Sequence, residues 1–305
     1  MGRAVSAVSS IASFALELGA PDRARGGVND VIRSILGGFV AAGLLASSAL
    51  AQSASSTWNG LPDRFQIDAG YFRVESDTTL RYNGDQGSGD VNFERDLDVD
   101  KNTDTFWIDG TWRVGRRHQL KLGYTRFNRD RRDFPLQRPI TWGGQDFSAG
   151  LEVSGHTGSD LLGGYYRFAV VRNDRFEIGP ALGIGYLWLN AGIRVTASVG
   201  GASRDFDITA SKGSITGAVG AYASGWAAKR LLIHGDFLYI KVSPGNSEAS
   251  VTDWRLGADY YFFRNAGLGV QYKYDRFVYD RGLLSTQLGG QVTYQGAQVF
   301  LTFRF

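Results

Sequence analysis

The chain holds three histidines, His118, His156 and His234, and no cysteine in 305 residues. Hydrolysis through a nucleophile needs that nucleophile, a base and a group orienting the base, all within mutual reach. Lacking cysteine, the chain has neither thiolate metal sites nor a disulfide framework. His118 falls in the short polar turn "VGRRH". His156 lies in "VSGHTGSD", near Ser154, Ser159 and Asp160. His234 and Asp236 are two apart, which on a strand puts both on one face and reads as a hydrogen-bonded pair. No stretch supplies all three partners, so no catalytic residue is assigned.

Two charged clusters come next. Asp85, Asp90, Glu94, Asp96, Asp98, Asp100 and Asp104 crowd one segment. Oxygen-rich clusters can take Ca²⁺, but "DLDVD" reads as a strand with Asp96, Asp98 and Asp100 on one face, and it lacks a turn glycine. A solvated acidic loop paired with nearby arginines is the expectation, and no metal site is assigned. Arg126, Arg129, Arg131, Arg132 and Arg138 form the second cluster. Guanidinium groups take phosphate bidentately; pairing with Asp130 and Asp133 is the competing expectation.

The elements that position these groups follow from the order of residues. Net charge is +3, which offers no case for nucleic acid. Gly (41) and aromatic residues are abundant and Pro is scarce (6), a mixture suited to long strands and tight turns. "VIRSILGGFVAAGLLASSALAQ" has a basic start at Arg33, an apolar stretch from Ile35 to Ala46 and the small-x-small pattern Ala49-Leu50-Ala51, the marks of a secretory signal. It is too short for a comfortable membrane helix. The expected organisation is an extra segment at 1–30, consistent with a start codon called early, a signal peptide at 31–51, a lead-in at 52–61 and one domain at 62–305.

Through that domain the chain alternates with period two. "WRLGADYYF" sets Trp254, Leu256, Ala258, Tyr260 and Phe262 against Arg255 and Asp259. "LGVQYKYD" sets Leu268, Val270, Tyr272 and Tyr274 against Gln271, Lys273 and Asp275. Connections alternate too: short turns near 114–118, 171–175, 228–230 and 263–267, and long polar loops near 76–104, 127–158, 195–213, 243–252 and 276–290. Nine connections imply ten strands. A soluble sandwich would bury the apolar face; a transmembrane barrel would turn it to lipid. Ionised groups on the polar faces, aromatics near strand ends, asymmetric turns and an even strand count favour an all-β, up-and-down antiparallel transmembrane barrel. Leu122, Ile184, Leu256, Val270 and Leu301 are expected to face lipid. Asp68, Asp109, Arg113, Lys121, Arg167, Glu177, Asp236, Arg255, Asp259, Lys273 and Arg304 are expected inside, with Asp109, Arg113, Arg167, Asp259, Lys273 and Arg304 as the core of a mixed-sign network.

Over residues 62–305 the sequence resembles the outer-membrane β-barrel proteins of Gram-negative bacteria. In those families a last strand of alternating apolar residues ending in Phe looks like the signal read by the barrel-insertion machinery, and Leu301, Phe303 and Phe305 match that pattern. A narrower resemblance is to a group of small proteobacterial barrels with a D-T-x-x-R, Gly-rich turn, E-x-D-L pattern and a later W/Y-R-x-G-x-R-H turn. Asp77, Thr78, Arg81, Glu94, Asp96, Leu97, Trp112, Arg113, Gly115, Arg117 and His118 match it.

The resemblance implies a monomer in the bacterial outer membrane, with both barrel termini periplasmic and long loops extracellular. It implies contact with outer-membrane lipid and with periplasmic chaperones, and no cofactor. Arg126, Arg129, Arg131 and Arg132 then become candidate contacts for lipopolysaccharide phosphates. Outer-membrane lipid hydrolases pair His with Ser two residues on, but Gly158 follows His156 at that spacing. An omptin-like Asp-x-His element is absent. Ten strands lie near the side-chain-filled end of barrel sizes. A non-enzymatic structural or surface-interacting barrel is therefore the first expectation, a narrow porin-like channel for small solutes or ions the second, and a lipid-modifying enzyme a distant third.

Overall fold

A computed structural model describes residues 57–305 apart from 85–86, 136–138, 143–144, 149, 151, 200–201, 243–246 and 284–285. Several side chains around those gaps are also outside the described part. The segments expected at 1–30 and 31–51 lie outside the described residues.

Ten long strands form the domain: β1 (Phe65–Gly84), β2 (Asn102–Arg113), β3 (His118–Pro135), β4 (Glu152–Phe168), β5 (Phe176–Val199), β6 (Ala202–Ala228), β7 (Leu231–Val242), β8 (Ser247–Tyr261), β9 (Ala266–Leu283) and β10 (Thr286–Arg304). Each pairs antiparallel with its sequence neighbours, and β10 pairs with β1 from Gln287↔Asn83 to Arg304↔Gln66. The sheet is thus a closed barrel. Closure satisfies every ladder N–H and C=O without water, the condition for crossing lipid with strands.

Alternation sorts the side chains as the sequence implies. Ile184 (65% exposed), Leu256 (60%), Val270 and Leu301 point outward. Leu122 shares that face, half-buried over Gly164. Asp109, Arg113, Lys121, Glu177, Arg255, Asp259, Lys273 and Arg304 are buried inside. The outer face is apolar because it meets lipid, and the interior can hold charge because it can pair it.

The short turns fall at 114–117, 169–175, 229–230 and 262–265. The long loops are corrected. Most of residues 195–213 continue as hairpin, with β5 and β6 in register out to Val199↔Ala202. Strand β9 runs to Leu283 and β10 starts at Thr286, so 276–290 is mostly strand; β8 starts at Ser247, within the expected 243–252 loop. Likewise β3 extends to Pro135 and β4 begins at Glu152, which puts His156 on a strand opposite Asp130. A transmembrane strand needs about 9–11 residues. The 12-residue strands β2 and β7 fit that length, while β5 (24 residues) and β6 (27) must project well beyond a bilayer. These extensions are polar but keep period two, and paired backbone is cheaper to order than an irregular loop.

Residues 76–104 also fold differently from a loop. Gly87–Asn92 turns back onto β1, and a one-turn helix, α1 (Phe93–Asp96), follows. The Asn92 side chain accepts from the Arg95 N–H as its N-cap, and Asp96 accepts from the Asn92 N–H at 2.8 Å. Asp96, Asp98 and Asp100 therefore do not share a strand face: Asp96 is in the helix and Asp98 has a positive φ of 47°. At the opposite end, Thr57–Trp58 pairs with Leu61–Pro62 in a small hairpin lying against the barrel mouth.

Candidate functional site

Among the described residues, the lumen is where strands from all sides bring ionisable groups together. Its centre is Arg255 on β8. Arg255 Nη1 donates to Asp109 Oδ2 at 2.8 Å, its Nε lies 3.5 Å from Asp236 Oδ2, and Nη2 lies 4.0 Å from Asp253 Oδ2. Lys121 Nζ reaches the same Asp109 oxygen at 2.9 Å, and Arg167 Nη2 donates to Asp236 Oδ1 at 2.5 Å. Lys273 pairs with Asp275 and stands 3.7 Å from Asp253. Tyr165 donates its hydroxyl to Asp253 Oδ2 at 3.3 Å. One continuous mesh thus joins β2, β3, β4, β7, β8 and β9.

Nearer the short turns a second group forms. Arg113 Nη2 donates to both oxygens of Glu177 at 3.0 Å, and its Nε lies 2.9 Å from Asp63. Gln119 adds a 2.6 Å bond to Glu177, and Arg172 reaches both carboxylates. Charge buried this deeply survives only when paired, because each ion has lost its water.

Two sequence expectations change here. Arg304 is buried but has no carboxylate within 4 Å among the described residues. It donates to the Tyr261 hydroxyl at 2.7 Å and lies over the rings of Tyr261 (5.0 Å) and Trp226 (5.5 Å). At the barrel's end, aromatic faces hold the guanidinium in place of an anion. His234 does not pair with Asp236. Its Nε2 meets Asp259 Oδ1 at 3.1 Å on the adjacent strand, because Arg167 and Arg255 already occupy Asp236. Among the described residues no nucleophile hydrogen-bonds to His234. His118 bonds through Nδ1 to the Tyr166 hydroxyl at 2.7 Å, a packing contact at the end of a strand.

Above the mesh the chemistry inverts. Phe72, Val74, Trp107, Phe127, Phe277, Tyr294 and Phe300 form a buried cluster from β1, β2, β3, β9 and β10. Phe127 stacks on Tyr294 at 4.3 Å, and Trp107 meets Phe300 edge-on at 5.2 Å. The Phe300 ring lies directly against the backbone of Gly269, where an added Cβ would come within 2.2 Å of it. A larger residue there would push this septum aside.

The septum has a lid. Phe93 and Leu97 are fully buried, and Glu94 accepts from the Thr78 N–H at 2.7 Å. Arg129 pairs with Glu94, donates to the Thr78 hydroxyl at 2.6 Å and reaches the Asp100 carbonyl at 3.3 Å. Arg129 is thus corrected from a rim contact to a buried lid clasp: alternation carries Thr125, Phe127 and Arg129 inward. Arg126, on the other face, is half-exposed and pairs with Asp160 at 3.2 Å. The side chains of Arg131 and Arg132, and all of Arg138, lie outside the described part.

The short-turn mouth is covered as well. Trp58 is buried with Leu232 and Tyr261, packs edge-on to Trp226 at 5.5 Å and donates Nε1–H to the Asn173 carbonyl at 3.0 Å. Between this cover and the mesh lies a polar cavity of about 60 Å³, lined by Tyr222, Arg167, Asp236 and His234 among others. That volume suits a few water molecules. Among the described residues no three His, Asp or Glu side chains stand together as metal ligands.

The residues that sequence reasoning missed are Asp63, Arg172 and Asp253, while Asp275 was placed on the polar face but not in the network. Asp253 was within reach, two positions from Arg255 on the same inward face. The C-terminal residues are anchored by backbone. The Arg64 and Phe65 N–H groups donate to the Phe305 carbonyl at 3.0 and 2.9 Å, and the Phe305 N–H donates to Phe65 at 2.8 Å. Leu301 and Phe303 face outward.

No protein-family model matches the sequence, and no curated protein does. Solved structures do match. The outer-membrane protease OmpT from Escherichia coli aligns with a TM-score of 0.52 at 12% identity, over 83% of this chain and 99% of that one. The translocator domain of the autotransporter NalP from Neisseria meningitidis gives 0.43 at 13% identity, over 90% and 98%. OprG from Pseudomonas aeruginosa gives 0.31 at 12% identity, over 82% and 100%. At these identities the likeness is one of fold: with the closed ladder and the apolar outer face, the chain has the ten-stranded transmembrane β-barrel fold.

Proposed function

We propose that the chain is a non-enzymatic outer-membrane protein with a structural and surface-contacting role. One observation carries this reading: the lumen is filled in successive layers by the Trp58 cover, the Arg255 mesh, the aromatic cluster and the Arg129–Glu94 lid. Such a barrel offers its outer surface and its long hairpins for contact, rather than a pore or an open catalytic cleft.

In this reading the short turns and both barrel termini are periplasmic, and the β5–β6 hairpin reaches outside the cell. Arg126, with Arg131 and Arg132 beyond it on β3, contacts lipopolysaccharide phosphates at the outer rim, where guanidinium groups bind phosphate well. Leu301, Phe303 and Phe305 present the strand that the insertion machinery receives from periplasmic chaperones.

Planar-bilayer recording of the refolded residues 52–305 tests the reading. A filled lumen gives no defined conductance steps. Regular steps in the unaltered protein would replace this reading with a narrow channel passing through the 60 Å³ polar cavity. A change in lipid A mass on expression would instead favour a lipid-modifying enzyme.

A further inference from the structure

The short-turn end carries a charge pattern that the lumen does not use. Each of its four turns brings a cation to solvent: Arg116 and Arg117, then Arg175, then Lys229 and Arg230, then Arg264. Asp174 is the acidic residue exposed in those turns. At the opposite end the lid segment 90–104 carries six carboxylates against Arg95 and Lys101, beside the rim cations Arg126, Lys241 and Arg276.

Within this ring lies a cleft of about 400 Å³ between the Trp58 hairpin and the first two turns. Arg64, Arg113, Arg116 and Arg172 line it, with Trp58 and Val114 among its other walls and Asp174 its one carboxylate. Arg113 and Arg172 are committed to Asp63 and Glu177. Among the described residues the side chains of Arg64 and Arg116 have no carboxylate partner; Arg116 contributes its backbone carbonyl to Arg113 and Arg172.

The surface beside the cleft is apolar. Val114, Val170, Val171, Trp112 and Phe176 are all exposed around its mouth and on the adjoining outer face. Two unpaired guanidinium groups call for an anion with several acceptor oxygens, which a phosphate supplies bidentately. An apolar wall continuous with the lipid-facing surface calls for hydrocarbon. A free phosphate satisfies the first demand alone, whereas an anionic phospholipid satisfies both.

We propose that the short-turn end is a seat for anionic phospholipid: Arg64 and Arg116 hold one headgroup phosphate in the cleft, its acyl chains lie along Val114 and Trp112, and Arg117, Arg175, Arg230 and Arg264 extend the contact to neighbouring headgroups. The proposal requires a bilayer but no particular orientation or cellular role. It can therefore fail while the structural reading stands, and the reverse.

The test reconstitutes residues 52–305 in symmetric nanodiscs of phosphatidylethanolamine with phosphatidylglycerol as the minor lipid. Lipid retained after detergent extraction is counted by native mass spectrometry. The unaltered barrel is expected to retain phosphatidylglycerol preferentially. Arg64→Gln with Arg116→Gln should lower that preference roughly tenfold, the scale of one lost charge-assisted contact. Arg64→Lys with Arg116→Lys should restore part of it, since the charge returns without the planar fork. Lys241→Gln with Arg276→Gln, at the other end, should leave it unchanged; strand circular dichroism reports folding of every variant. Equal retention by the Gln pair and the unaltered barrel overturns the proposal. So does release of the lipid by millimolar inorganic phosphate, which would make the cleft a free-phosphate site.

Discussion

The two halves of the lumen are filled by opposite means. Toward the short turns, charges from six strands lock together around Arg255. Toward the lid, the buried cluster is apolar and mostly aromatic, with side chains from five strands, bordered by Asp275 on one side and Arg129 on the other. Ion pairs are directional, so the mesh depends on which partner stands where, and losing one strands the others. Ring packing depends on volume and shape, so the septum weakens in proportion to what is removed. One barrel therefore contains a region intolerant of single charge changes beside a region sensitive mainly to size.

The largest expected effect tests the mesh. Arg255→Leu leaves Asp109, Asp236 and Asp253 short of a partner and should cost roughly 3–5 kcal/mol in urea unfolding from lipid vesicles. Adding Asp253→Asn should recover part of the loss, since one surplus carboxylate goes with the cation while Lys121 keeps Asp109 and Lys273 keeps Asp275. A single substitution with no measurable cost would break the comparison, because the mesh would then be solvated rather than buried.

Next comes the septum. Phe300→Ala should cost about 3 kcal/mol through the cavity it leaves over Gly269. Combined with Phe127→Ala it should also raise bilayer conductance above that of the unaltered barrel. Stability lost without any rise in conductance would assign closure to the mesh and cover alone.

The smallest effect sets the baseline. Arg126→Ala breaks a half-exposed pair with Asp160 and should change stability by less than about 1 kcal/mol. A loss as large as that at Arg255 would erase the distinction between lumen and rim.

Much of this was legible in the sequence. Period two sorted Leu256 from Arg255 and Val270 from Lys273, and short polar turns marked one end of the barrel. What periodicity cannot reveal is which inward charge meets which. Asp109 and Arg255 are 146 residues apart and meet only because closure sets their strands across the lumen. Arg129 was hidden for a different reason. A polar stretch at 127–158 reads as loop, although Thr125, Phe127 and Arg129 keep the inward phase of β3. The lid was hidden because a one-turn helix held by the Asn92 cap and the Glu94–Thr78 bond has too short a pattern to outweigh "DLDVD".

The seam between β1 and β10 governs the order in which the barrel can form. Its eighteen residue pairs join the first strand made to the last, so no local hairpin can form any of them early, and contacts of such separation come slowly. Until β10 arrives, β1 and β9 each present a row of unpaired backbone groups, an open template for any passing strand. A chain stalled before β10 would be a sticky nine-stranded ribbon at any level of internal stability. The seam thus makes completeness a condition of closure: strand pairing can hide every edge only after the final strand has been delivered.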